Sequence, residues 1–114
     1  MNTTTDTDIN VLQIYDENYV IWKYELPMME RFDLRLPKDS KILCIQTQTR
    51  FDIELMNFWI LVNNLIPIPI ETRHFLVLGT GQRVPMETLR YLGTTQLAEG
   101  RLVFHVFEIL PPTG

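Results

Sequence analysis

From Tyr19 onward, apolar and polar positions alternate at period 2 or merge into short apolar runs, and helical periodicity is almost absent. The run "YVIWKYEL" (19–26) is aromatic and β-branched, and it stops at Pro27, which has no N–H for a ladder. Phe32-Asp33-Leu34-Arg35-Leu36 alternates as a half-buried strand does, and it ends at Pro37. After the polar turn Lys38-Asp39-Ser40 comes "KILCIQTQ" (41–48), apolar on both faces at first and polar at its far end. "FWILVNN" (58–64), "RHFLVLGT" (73–80), "LRYLGTTQL" (89–97) and "RLVFHVFEIL" (101–110) predict four further strands. The last two are joined by the hairpin turn Ala98-Glu99-Gly100.

Four segments carry weaker signals. "VLQIY" (11–15) predicts at most an edge strand or a patch that packs on a neighbour. Residues 49–57, "TRFDIELMN", fit either a hairpin loop or one helical turn capped by Asp52. "IPIPIE" (66–71) has prolines two apart, which suits an extended edge or loop and excludes a central strand. Pro85 is placed to start a short helix through Met86-Glu87-Thr88. Six or seven short strands thus predict an all-β chain, a single-domain antiparallel sandwich or small barrel. It spans residues 19–110, between a disordered acidic leader (1–18) and a short tail (111–114) that opens on Pro111-Pro112.

The last strand sharpens the picture. Leu102, Phe104 and Val106 face one way; Val103, His105, Phe107 and Ile109 face the other, so both faces are apolar. A sheet with one wet face does not accommodate that. Either the strands lie at the centre of a sandwich or one face is buried against another copy, and a homo-oligomer is expected.

Charge adds a second constraint. Asp6, Asp8, Asp16 and Glu17 make the first 17 residues purely acidic, whereas residues 18–114 hold ten acids and ten bases. The body is therefore neutral and has no basic stripe for duplex nucleic acid, yet an anionic ligand is not excluded. No run approaches the roughly 20 apolar residues that span a bilayer, so no membrane partner is expected. The one cysteine, Cys44, lies in an apolar run and reads as a buried, inert thiol. It allows no disulfide within the chain, in keeping with a reducing cytoplasm.

Candidate chemistry is sparse. Gly79-Thr80-Gly81 follows a strand, but Val84 and Pro85 stand where a dinucleotide fingerprint needs its third glycine and its helix. No Walker sequence follows either. The turn is open to two readings: a strand-exit corner supplied by glycine, or a small anion nest with Thr80, Gly81 and Arg83. His105, among apolar neighbours, is ordinarily a packed and hydrogen-bonded residue and less often a ligand. Two histidines without a second cysteine or tight carboxylate spacing predict no metal site. Ser40, the only serine, sits in a turn and builds no triad, and Asp52 and Glu54 read as solvated charge. Trp22, Tyr24, Trp59 and Tyr91 are ordinarily core fillers. The alternative is a stacking wall for a planar ligand, with Lys23, Arg73, Arg83 and Arg90 around its phosphates.

In order, "IWKYEL", "LPKDSKILCIQTQ", "FWILV", "GTG", "RYLGTTQL" and "LVFHVFE" resemble a family of small uncharacterised bacteriophage and prophage proteins. The likeness covers about residues 20–109, and its last two motifs are the most specific. The chain departs from the pattern in its acidic leader, around 49–57, and at prolines 67–69. The resemblance implies a phage product in the cytoplasm of a host bacterium, with no established activity. Phages use small, β-rich, oligomeric proteins against host immunity, some of them sponges for nucleotide signals. The expected function is therefore non-enzymatic sequestration of a small nucleotide-like anion, with no cofactor. Its ligand would be held by Thr80, Gly81, Arg83 and Arg90, stacked on Trp22 and Tyr91, with His105 as a further contact. The alternative is a protein-interaction module, either a phage accessory or virion-associated protein or an inhibitor docking on a host effector by a sheet edge. No pair of side chains compels an enzyme.

Overall fold

A computed structural model describes residues 11–65 and 67–112. It contains seven strands: β1 (Tyr19–Glu25), β2 (Arg31–Pro37), β3 (Lys41–Arg50), β4 (Ile53–Asn63), β5 (Ile70–Gly79), β6 (Thr88–Leu97) and β7 (Leu102–Leu110). They form a three-stranded sheet, β1-β4-β3, and a four-stranded sheet, β2-β5-β7-β6, with every pair antiparallel. The all-β sandwich predicted from the alternation is the fold.

Alternation decides what lies between the sheets. Phe32, Leu36, Phe58, Ile60, Val62, Phe75, Val77 and Val106 point inward and are buried. At the centre the Phe32 and Phe75 rings stack at 5.2 Å, and Phe58 tilts against Phe75 at the same distance. Burying each such side chain contributes on the order of 1.5–3 kcal/mol. The two long edges of the sandwich differ. On one side β3 lies against β6, where the Thr47 and Thr95 hydroxyls share a 2.6 Å hydrogen bond. On the other side β1 and β2 are joined by residues 26–30, with Leu26 buried and its N–H donating to Met56 O at 2.8 Å.

The double-sided apolarity of the four-stranded sheet has a local explanation. β5 and β6 both pair antiparallel with β7, so they run in the same direction. Gly79 ends β5 opposite Phe104, whereas Thr88 begins β6 opposite Leu110. The connection 80–87 must therefore travel back along the sheet by six residue levels, roughly 20 Å at 3.3 Å each. Its inner face being taken by the other sheet, this strap crosses the outer face. Leu76 and Leu78, which point away from the core, are accordingly buried, at 1% and 5% exposure. The chain covers its own second face there.

Several expectations are corrected. Of the two readings of residues 49–57, the hairpin holds and the helical turn does not: β3 and β4 run to Arg50 and from Ile53, joined by Phe51-Asp52 in a two-residue turn. Pro85 starts no helix: residues 82–85 take no regular structure, 86–87 form only a bend, and Thr88 already belongs to β6. Residues 11–15 form no strand and are exposed. Within 66–71, Ile70 and Glu71 belong to β5, a central strand, although there they pair only with β2. Cys44 is half-buried on the outward side, opposite Trp59, and not in the core. The leader's residues 1–10, Ile66 and the last two residues of the tail lie outside the described residues.

Candidate functional site

The glycine corner comes first. Gly79 N–H donates to the Gln82 side-chain oxygen, Thr80 N–H to Val103 O at 3.3 Å, and Gln82 N–H to Gly79 O at 3.1 Å. Gly81 adopts φ 95°, a conformation open to glycine and strained for other residues. Three of the turn's amides are thus engaged within the chain, and the corner's evident work is to launch the strap. The strap is pinned further on: Gln82 reaches Glu30 at 3.4 Å, and Arg31 forms a two-pronged ion pair with Glu87. The Arg31 guanidinium, chiefly by hydrogen bonding, holds the Glu87 carboxyl below its usual range.

A polar row runs over the outer face of the four-stranded sheet beside this strap. Thr80 Oγ1 meets His105 Nε2 at 2.8 Å, His105 Nδ1 meets Thr94 Oγ1 at 2.9 Å, and Thr94 Oγ1 meets the Tyr91 hydroxyl at 2.5 Å. The Tyr91 ring tilts against Phe107 at 5.7 Å and is largely exposed. Three residues predicted to act together, Thr80, Tyr91 and His105, are therefore connected through Thr94. Gly81 and Arg83 lie on the adjoining strap, Arg83 exposed.

The other two lie elsewhere. Arg90 points to the inner side, 3.4 Å from Glu108, which is buried and already held by Arg73 at 2.6 and 2.7 Å. Hydrogen bonding to Glu108 raises the Arg73 pKa against the opposing effect of burial. Arg90 thus shares a carboxylate with a second arginine, and its charge is partly neutralised. Trp22 belongs to β1 on the opposite sheet. The seven residues do not share one surface.

The outer face of the three-stranded sheet carries a different arrangement. A groove of about 400 Å³ is lined by Lys23 and Glu25 on β1, Gln48, Thr49 and Arg50 on β3, and Leu55 and Asn57 on β4. Its walls are braced: Lys23 Nζ donates to Gln48 at 3.1 Å, and Arg50 to Glu25 at 3.1 Å. Asn57 is buried and donates to Leu55 O at 3.2 Å. Next to the groove, the Lys23 ammonium stands 5.8 Å from the centre of the Trp59 ring, whose N–H is held by Gln46 at 3.0 Å. Two cations, one carboxylate, amides and an indole thus converge on one face. Lys23 and Trp59 are among the residues the sequence singled out; Arg50, Gln48 and Asn57 are not. Their only signal is the period-2 polar series Gln46, Gln48, Arg50, which acquires meaning once the register sets it across β4 from Lys23 and Glu25.

Of the two carboxylates read as solvated charge, Asp52 is exposed, whereas Glu54 bonds a backbone amide. Glu54 accepts the Ala98 N–H at 2.6 Å, and Asp52 occupies the β3–β4 turn. Among the described residues, no three His, Cys, Asp or Glu side chains gather as metal ligands, and no helix is long and apolar enough to cross a membrane.

A family described as a domain of unknown function, DUF7352, matches residues 18–112. No curated protein and no solved structure matches this chain.

Proposed function

The chain belongs to the DUF7352 family, and on that premise we propose that it is a non-enzymatic binding protein for a small, planar, anionic ligand of the nucleotide class. One observation carries this reading: Lys23 and Arg50 flank a braced groove that adjoins the Trp59 indole. Cations for phosphate and an aromatic ring for a base are the chemistry such a ligand needs. Backbone amides at the glycine corner supply less, because most are already engaged. The motif likeness to bacteriophage proteins supports the wider setting, a phage product that sequesters a host immune signal in the bacterial cytoplasm. Sequestration asks for tight binding without turnover, and of the two turn-region carboxylates Glu54 is engaged by the Ala98 N–H.

Thermal shift against cyclic and linear dinucleotides and ADP-ribose derivatives tests the proposal. A ligand at a hundred times its dissociation constant adds about 2.7 kcal/mol of stability. Lys23→Ala and Arg50→Ala should each abolish the shift, and the ligand recovered after heat denaturation should be intact. Loss in Arg83→Ala instead moves the site to the Tyr91–His105 row. Altered ligand makes the protein an enzyme. No shift anywhere in the panel favours the second reading, a protein-docking module, which the open edge β1 supports.

A further inference from the structure

β1 is the exposed flank of the sandwich. Ile21 is 60% exposed, Val20 37% and Trp22 36%, on a strand whose outer edge has no partner among the described residues. The other edges are guarded. β2 presents Arg31, Asp33 and Arg35 and ends in Pro37, while β3 and β6 lie against each other. A bare, apolar, seven-residue edge is what invites another strand.

The identity of that strand follows from the hydrogen bonding. Asn64 N–H donates to Asn18 O and Leu26 N–H to Met56 O, each at 2.8 Å, at the two ends of the β1–β4 ladder. In an antiparallel pair, alternate residues turn their N–H and C=O to the same neighbour. The even-numbered residues of β1 therefore bond β4, and Tyr19, Ile21, Lys23 and Glu25 direct their backbone groups to the free edge. We infer that the occupant is a second copy of this chain, paired β1 to β1 about a two-fold axis through Trp22.

That register is singled out by the sequence Tyr19-Val20-Ile21-Trp22-Lys23-Tyr24-Glu25 itself. With Trp22 opposite its symmetry mate, Tyr19 meets Glu25 and Ile21 meets Lys23 as hydrogen-bonded pairs, so every outward backbone group is used. Val20 meets Tyr24 and Trp22 meets Trp22 as closer, non-hydrogen-bonded pairs, which covers apolar surface. On the outer face Ile21 of one copy lies opposite Lys23 of the other, whose ammonium is turned inward across β4 to Gln48 and so leaves the seam free of charge. Shifting the axis to Lys23 places two lysines face to face, a like-charge pair that destabilises. Shifting it to Ile21 leaves Tyr24 and Glu25 unpaired. The product is a six-stranded sheet, β3-β4-β1-β1-β4-β3, with Val20 and Trp22 covered.

Sedimentation of the purified full chain at micromolar concentration should give twice 13.5 kDa. Ile21→Pro removes one outward N–H and leaves the β1–β4 ladder intact, so it should yield a folded monomer. In a Cys44→Ser background, Trp22→Cys should cross-link to a dimer on mild oxidation, because a non-hydrogen-bonded pair holds its Cα atoms about 4.5 Å apart, within disulfide reach. Ile21→Cys, opposite Lys23 in this register, should not. The cross-link decides the matter if Ile21→Pro fails to fold. A monomeric wild type, a dimer that survives Ile21→Pro, or cross-linking at Ile21→Cys in preference to Trp22→Cys overturns the inference.

Discussion

Gly93 on β6 and Ile45 on β3 meet with no space for a side chain between them: a Cβ at Gly93 would stand 2.7 Å from Ile45 Cγ2. This contact draws the two sheets together on their closed side, next to the Thr47–Thr95 hydrogen bond, and it coincides with the bulge between Tyr91 and Gly93. Gly93→Ala should therefore cost about 1–3 kcal/mol by overpacking in urea denaturation. Adding Ile45→Ala removes the clashing methyl, so the double variant should lose less than the two single losses combined.

Arg73 and Glu108 form the inner ion pair, their side chains 13% and 6% exposed. Arg73→Met would leave the carboxylate buried with only the longer contact from Arg90. A loss of about 3–5 kcal/mol is expected in denaturant titration. Arg90→Ala, which removes the exposed partner, should cost far less.

The strap responds to acid. Because Arg31 lowers the folded-state value of Glu87 below its ordinary 4.5, the pair stabilises the fold above that pH, and the contribution is lost as pH falls through the depressed value. Hydrogen bonding to Glu87 raises Arg31 above its already high ordinary value, so its own loss lies at extreme alkali. Both groups are exposed, so the effect should shrink with salt. Glu87→Gln should lower Tm at neutral pH and converge with the wild type only once the pH has fallen below the depressed Glu87 value, as melting curves across pH would register.

Phe51 and Asp52 both take positive φ, 51° and 61°, in the β3–β4 turn. A bulky aromatic there is strained and, at 90% exposure, packs on little. Replacing the pair by Asn-Gly, the preferred two-residue turn, should add roughly 1–2 kcal/mol in thermal or urea unfolding.

Strand content was legible because its causes are local. Pro27, Pro37 and Pro111 stop strands by lacking a donor, the Glu99-Gly100 corner announces the last hairpin, and alternation along 102–109 separates Phe104 and Val106 from His105 and Phe107. The Phe51-Asp52 turn was legible only as one of two readings, since a phenylalanine does not favour the positive φ it adopts; the paired strands on either side impose it.

Site geometry was legible only in fragments. Thr80, Tyr91 and His105 do meet, through a Thr94 that no motif flags. Arg90 and Trp22 are separated from them because one faces the inner ion pair and the other belongs to the second sheet. The groove residues come from β1 and from the β3–β4 hairpin more than 20 positions further on, and only register aligns them.

By itself, the amino-acid order determined that this chain makes strands, where most of them stop, and which side chains share a face, since these follow from backbone chemistry and a period of two. Only the tertiary structure decided which strands are neighbours, that β5 and β6 run the same way, and hence that residues 80–87 must cross and cover Leu76 and Leu78. Pairing over long sequence distances depends on the packing of all seven strands at once, and no local stretch encodes it.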